Sequence, residues 1–248
     1  MSKQSIHALV TGASRGIGKS ITEKLLAAGA RVTGTSHRTG FPESFLSNSA
    51  FEGVQPDFAK EEALATALKP LFEQAGAPGV LINNAGISED CGFEEDDENW
   101  LENWHSTLQV NLHAPALLTK WALNSWVQKG EKGILINIAS RAAYRGDTQE
   151  YASYAASKGA LVAFTKSIAR GFGAHGIVAY SIAPGFTNTD MAAESVNVYG
   201  EEYLTQGMAL AEITPPDEVG ELAAFLASGK VRHMTGATFH INGGSYMI

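Results

Sequence analysis

Two hydrophobic patterns alternate along the chain. Short, nearly continuous apolar runs occur at residues 6–10, 30–35, 51–55, 80–82, 133–140, 177–182 and 237–241. Runs of this length predict strands buried on both faces, as in a parallel sheet. Between them, apolar residues return every three or four positions, which predicts helices over 19–28, 60–74, 100–128, 151–174 and 219–227. Gly29 reads as a helix stop, and the acids 94–98 and the Thr214-Pro215-Pro216-Asp217-Glu218 stretch read as helix starts. The 100–128 stretch is expected to break or bend around Pro115. No linker, repeat or low-complexity segment interrupts residues 1–248. The alternation predicts one α/β domain built on a doubly wound parallel sheet flanked by helices. Periodicity weakens over 186–213, which is either a lid over a substrate or a surface excursion.

Composition narrows the function classes. Lys plus Arg is 18 and Asp plus Glu is 26, for a net charge of −8. That balance argues against nucleic acid or an anionic membrane as partner. No apolar run is long enough to span a bilayer, and no signal-peptide core follows Met1, so a cytoplasmic location is expected. The single cysteine, Cys91, lies beside acids and excludes both an intrachain disulfide and a cysteine-based metal site. His105 and His113 read as packed or surface histidines, and no metal site is predicted.

The first predicted strand runs into Thr11-Gly12-Ala13-Ser14-Arg15-Gly16-Ile17-Gly18 and then into a helix. Strand, glycine-rich turn and helix form the context of a dinucleotide site, so the domain reads as Rossmann-like. Glycines let the backbone approach a pyrophosphate, and the helix start offers N–H groups to its charge. The second strand ends at Ser36-His37-Arg38, with no acid to hold ribose hydroxyls. Arg15, His37 and Arg38 instead suit a phosphate monoester, which favours NADP(H) and leaves NAD(H) open. The amides of Asn83-Asn84-Ala85-Gly86 suit either close approach by a cofactor or a tight strand end.

Tyr154 and Lys158 stand four apart on a predicted helix and so share a face. A cation one turn away predicts a lowered phenol pKa and a general acid or base. Tyr151 has no lysine at that spacing. Asn111, a polar amide in an apolar helix, is either a structural anchor or part of a site.

Taken in order, Thr11-Gly12-x-x-x-Gly16-x-Gly18, Asn83-Asn84-Ala85-Gly86, Asn111, Ser140, Tyr154-x-x-x-Lys158 and Pro184-Gly185 resemble the classical short-chain dehydrogenases/reductases over essentially the whole chain. Residues 12–18, the Pro184-Gly185-Phe186 segment with Thr189-Asp190-Met191, and the ending Asn242-Gly243-Gly244 resemble the 3-oxoacyl-[acyl-carrier-protein] reductase type. The resemblance implies an NAD(P)-dependent oxidoreductase acting on a small ketone, secondary alcohol or acyl thioester, and a homotetramer. It implies Tyr154 as acid/base, Lys158 as its modulator and ribose ligand, Ser140 as substrate anchor, and Asn111 as holder of a relay water. It also implies cofactor contacts from Gly12, Ser14, Arg15, Gly16, Ile17, Gly18, His37, Arg38, Asp57, Phe58, Asn84, Ala85, Gly86, Pro184, Gly185, Thr187 and Thr189. Where carrier-binding members have basic residues at the entrance, this chain has Glu131 and His175, with Lys129 and Lys132 close in sequence. A different class, a dinucleotide-binding sensor or scaffold, usually lacks the tyrosine or the lysine, and both are present. An epimerase or dehydratase of the larger related group needs an additional substrate domain, for which 248 residues leave no room.

Overall fold

The apolar runs become strands, as their continuity requires. A computed structural model describes residues 6–37, 39–189 and 200–248. The strands are β1 His7–Val10, β2 Arg31–Thr35, β3 Phe51–Val54, β4 Val80–Asn83, β5 Ile134–Ile138, β6 Val178–Pro184 and β7 Thr238–Ile241. They form one sheet in the order β3-β2-β1-β4-β5-β6-β7, and every pairing is parallel. The helices are α1 Gly16–Ala27, α2 Glu43–Leu46, α3 Glu61–Glu73, α4 Asp97–Leu108, α5 Ala114–Lys129, α6 Ala142–Arg145, α7 Ala152–Phe172, α8 Glu201–Thr205 and α9 Pro216–Ala227.

Both faces of the sheet are covered. On one, Ile21 and Leu25 of α1 and Val219, Ala223 and Leu226 of α9 pack on Val10, Ile82, Ile136 and Tyr180. On the other, Leu64 and Leu68 of α3, Leu118 and Trp126 of α5 and Ile168 of α7 pack on Leu9, Leu81, Leu135 and Ala179. Alternate residues of one strand thus enter opposite cores, which is why the strands read as unbroken apolar runs.

A buried polar ladder crosses the second face. Asn83 Nδ2 donates to Asn137 Oδ1 at 2.8 Å, Asn137 Nδ2 to Thr165 Oγ1 at 2.8 Å, and Ser181 Oγ to Thr165 Oγ1 at 2.9 Å. The chain of bonds ties β4, β5 and β6 to α7 and sets that helix's position on the sheet.

The long predicted helix does break, but ahead of Pro115. Residues Gln109–His113 form a π-helical turn between α4 and α5, and Pro115, which has no N–H to donate, follows in the first turn of α5. Asp96 caps α4 through the Asn99 N–H at 2.9 Å, as the acidic run predicts. Gly29, at φ 81°, ends α1 in the left-handed region. Between β5 and α7 lies α6, a single turn too short to show helical periodicity.

Candidate active site

Strand order reverses between β1 and β4, which pair directly although β2 and β3 separate them in sequence. Ligands of such sheets bind at the carboxyl ends of the strands on either side of that reversal. Residues 11–16 leave β1 there. Gly12 (φ 67°) and Gly16 (φ 52°) take left-handed conformations that give the loop its shape. A Cβ on Gly18 would lie 2.0 Å from the Gly12 carbonyl oxygen, so only glycine lets the loop fold against the first turn of α1. Thr11 Oγ1 accepts from the backbone N–H groups of Asn84 (2.9 Å) and Ala85 (3.0 Å), and Asn84 Nδ2 donates to the carbonyls of Thr11 (2.9 Å) and Gly12 (3.1 Å). The ends of β1 and β4 are thereby locked together. Thr189 lies across the loop, close enough that a Cβ on Gly16 would meet its methyl at 3.0 Å.

At the end of β2, His37 Nδ1 lies 3.9 Å from Asp57 Oδ1. Ser14 Oγ and Thr39 Oγ1 are 2.8 Å apart, and Ser36 Oγ donates to Ser14 Oγ at 3.2 Å. Glycine loop, β2 end and β3 end therefore converge. Arg38 lies outside the described residues. The Phe58 side chain is buried in the core with Leu9 and Leu64, so only its main chain is left to border a ligand, whereas Asp57 faces His37. Ile17 likewise packs against the core.

The second half of the site lies at the ends of β4, β5 and β6. Lys158 is only 4% exposed, and its Nζ donates to the Ile138 carbonyl at 2.9 Å. Its ammonium is 5.6 Å from the centroid of the Tyr154 ring. The Ser140 hydroxyl is close enough to the Tyr154 phenol to act on its ionisation, and Ser140 Oγ accepts from the Ala142 N–H at 3.1 Å. Asn111, fully buried in the π-turn, holds both backbone groups of Ile87: Oδ1 accepts from its N–H at 2.8 Å and Nδ2 donates to its carbonyl at 2.9 Å. Asn111 Nδ2 also donates to Ser157 Oγ at 3.1 Å. Gly86 stands between this amide and the lysine. A Cβ there would lie 3.1 Å from Asn111 Oδ1 and 3.3 Å from Lys158 Nζ.

The expectation that Lys158 lowers the Tyr154 pKa is corrected. Burial dominates and pushes the phenol up; the Ser140 hydroxyl opposes the rise and the nearby charge of Asp147 adds to it. Lys158 is itself pulled down to about 8 by burial. Its ammonium sits beside the ring with one donor committed to the Ile138 carbonyl. Cys91 is raised by burial and by surrounding acids, in keeping with an inert thiol. Among the described residues no group of His, Cys, Asp or Glu is arranged to hold a metal ion.

Gly185 N–H donates to the Ile241 carbonyl at 2.8 Å, Pro184 accepts from the Arg141 N–H at 2.9 Å, and buried Thr187 bridges to Thr214. These contacts hold the loop after β6 beside Ser140. The sequence reading passed over Thr11 and Ser157 as functional groups. Both sit inside quoted motifs, but their partners come from other elements.

A nicotinamide dinucleotide fits these residues. The Gly12, Gly18 and Gly86 positions each leave a place where a side chain would collide with the loop or the lysine, and the helix start of α1 faces the same crevice. Fold and site define a class: the chain belongs to the classical short-chain dehydrogenase/reductase family, NAD(P)-dependent oxidoreductases that act on CH–OH groups and ketones. Residues 12–246 match the family model described as enoyl-(acyl carrier protein) reductase.

The chain is 35% identical over 244 residues to the 3-oxoacyl-[acyl-carrier-protein] reductase FabG of Vibrio cholerae, covering 97% of each protein. It is also 35% identical to the FabG of Pseudomonas aeruginosa over the full length of both. Among solved structures, a putative NAD(P)-dependent gluconate 5-dehydrogenase from Beutenbergia cavernae with bound NADP superposes with a TM-score of 0.90 at 29% identity, with 98% of each chain covered. A 4-hydroxyisoleucine dehydrogenase complexed with NADH superposes at 0.88 and 27% identity, with 97% of this chain and 98% of that one covered.

Proposed function

We propose that the protein is an NADP(H)-preferring carbonyl reductase or secondary-alcohol dehydrogenase with Tyr154 as its general acid/base. The observation that carries this reading is the convergence of the Ser140 hydroxyl, the Tyr154 phenol and the buried Lys158 ammonium beside the glycine loop. The nicotinamide, when bound, supplies or accepts the hydride. Gly12, Ser14, Arg15, Gly16, Ile17 and Gly18 cradle its phosphates through the loop and helix start, and Asn84, Ala85, Gly86, Pro184, Gly185, Thr187 and Thr189 line the ribose and nicotinamide side. Arg15, His37 and Arg38 take the 2′-phosphate, and Asp57 borders the adenine end. NAD(H) is the alternative.

Burial suits Tyr154 to hold its proton at neutral pH, and in reduction it delivers that proton to the carbonyl oxygen. Ser140 donates to the same oxygen and fixes its position. Lys158 holds the nicotinamide ribose. Asn111 keeps the backbone at Ile87 in place behind Gly86 and completes the path by which Tyr154 regains its proton.

The FabG relatives favour a second reading, reduction of a 3-oxoacyl thioester on an acyl carrier protein. The surface supports it less. Lys129 is engaged by the carbonyls of Phe72 and Gln74 at 3.1 and 2.9 Å, and a groove of about 410 Å³ beside α4 is lined by Glu89, Asp90, Glu95 and Glu102. An acidic carrier prefers a basic rim. A dinucleotide-binding scaffold is disfavoured by the intact Tyr154 and Lys158. We further propose a single-domain cytoplasmic homotetramer with a candidate substrate lid in 186–213, of which residues 190–199 lie outside the described residues. Leu101 is exposed on α4, where Trp100 and Trp104 stack at 5.1 Å, and no helix among the described residues can cross a membrane.

The test is a panel of ketones, including 3-oxoacyl thioesters, assayed with NADPH and NADH in parallel. Oxidation of NADPH by at least one ketone is expected. Its absence throughout rejects the enzyme reading, and a preference for NADH rejects the phosphate site.

A further inference from the structure

We infer that Arg141 is a specificity residue that receives a carboxylate of the substrate, so that the physiological ketone or alcohol is an oxo or hydroxy acid; this rests on the oxidoreductase reading of the same site.

Arg141 follows Ser140 directly, and its backbone N–H is pinned to the Pro184 carbonyl at 2.9 Å. Its side chain cannot swing away with a loose loop. The guanidinium lies over the ring of Phe186, 4.2 Å from the centroid, and the residue is only 8% exposed. Phe186 belongs to the segment after β6, so the cation sits between the ends of β5 and β6 beside Ser140. Arginine keeps its charge at any physiological pH, and a buried charge is costly unless an anion meets it.

The protein supplies little. Among the described residues no carboxylate forms an ion pair with Arg141. Asp147 is close enough to act on it, but Asp147 also pairs with Arg145 at 3.9 Å. Two arginines share one carboxylate, which leaves a local excess of one positive charge. The Phe186 face offsets part of the burial cost, typically about 0.5–2 kcal/mol for such contacts. Burial pulls the guanidinium down to about 10, the expected response of a cation short of a counter-ion. Asp147 acts on Tyr154 as well, so the arginine cluster and the phenol share one neighbourhood. A planar fork of donors, fixed at the backbone and stacked on one face, suits a carboxylate. A purely structural role, bracing Phe186, would require no such unbalanced charge.

The experiment compares acids with their own esters. The full-length protein with NADPH is assayed on acetoacetate against methyl acetoacetate and on levulinate against methyl levulinate. In parallel, calorimetry measures levulinate and its ester binding to the NADP⁺-loaded protein. The wild type is expected to favour the acid of at least one pair by about tenfold or more in kcat/KM, a fold-change typical of one charge-assisted pair. Arg141→Met is expected to bring that ratio close to one, and Arg141→Lys, which keeps the charge without the fork, to leave it intermediate. Equal ratios in wild type and Arg141→Met, or an ester-preferring wild type, overturn the inference. Should Arg141→Met fail to fold, Arg141→Lys decides by the same ratio. Should neither acids nor esters turn over, the oxidoreductase reading fails on its own and calorimetry decides the carboxylate site. Levulinate bound about tenfold more weakly by the variant upholds the site, and equal or undetectable binding to both proteins rejects it.

Discussion

The ammonium of Lys158 donates to the main-chain carbonyl of Ile138 across 2.9 Å, from a side chain with almost no contact with solvent. Burial holds this lysine near pKa 8 against an ordinary 10.5. Below about pH 8 both folded and unfolded chains carry the proton, and the fold bears the full cost of the buried charge. Between about 8 and 10.5 the unfolded chain binds a proton that the folded chain has released, so this group's contribution to stability rises with pH. The full span is on the order of 3 kcal/mol. Urea unfolding of the wild type and Lys158→Met at pH 7, 8.5 and 10 checks it. The difference between the two is expected to move in favour of the wild type as pH rises, and a flat difference contradicts the assignment.

Tyr154→Phe removes one hydroxyl and leaves the ring that faces Lys158. Turnover is expected to fall by about 10²- to 10⁴-fold, the usual worth of a positioned acid or base, with NADPH affinity retained. Tyr151→Phe is expected to keep most activity. A raised phenol pKa in the unliganded protein adds a direction to the pH profile. Reduction needs the protonated phenol and should hold until alkaline pH; oxidation needs the phenolate and should climb with pH. Full activity in Tyr154→Phe, or its loss in Tyr151→Phe, reassigns the acid.

Gly18→Ala tests the loop without touching a charge. The new Cβ would sit 2.0 Å from the Gly12 oxygen, against main chain that cannot yield without opening the turn. NADPH binding is expected to weaken by at least about tenfold, or about 1.4 kcal/mol. Gly29→Ala is the control: it meets nothing within 4 Å, but its φ of 81° carries strain, so it should cost stability and spare cofactor affinity. Fluorescence titration with NADPH separates the two, and equal affinities in both variants would place the loop outside the cofactor site.

Local spacing made the strands, the glycine loop and the Tyr154–Lys158 pair legible, because each is a relation between residues a few positions apart. What spacing could not show were the partners. The acceptor of Lys158 is twenty residues upstream, and the backbone held by Asn111 is twenty-four residues away on another element. Asn111 anchors the Ile87 main chain and also stands one glycine from the lysine, a double placement that spacing alone could not show. Phe58 shows the converse: its motif position did not reveal that its apolar ring goes to the core. Helices α2 and α6, four residues each, are too short to display a 3.6-residue repeat.

Asn137 offers the last test, since the ladder it belongs to positions α7 and hence both Tyr154 and Lys158. Its amide accepts from Asn83 and donates to Thr165, and Thr165 lies two turns beyond Lys158 on the same helix. Asn137→Ala strands one donor on Asn83 and takes a donor from Thr165 inside the protein, where each unpaired group costs about 1–3 kcal/mol. Asn83 already carries an unpartnered Oδ1, and its Nδ2 would keep only the longer bond to Thr119 Oγ1 at 3.3 Å. Thr165→Val alone should also destabilise, because Ser181 loses its acceptor. Once Asn137 is alanine, the threonine has less to lose, and the double variant should be more stable than the sum of the two losses implies. Urea unfolding of the four proteins gives the coupling. Strict additivity would mean that the ladder acts as separate bonds and that α7 is held in place by its apolar face alone.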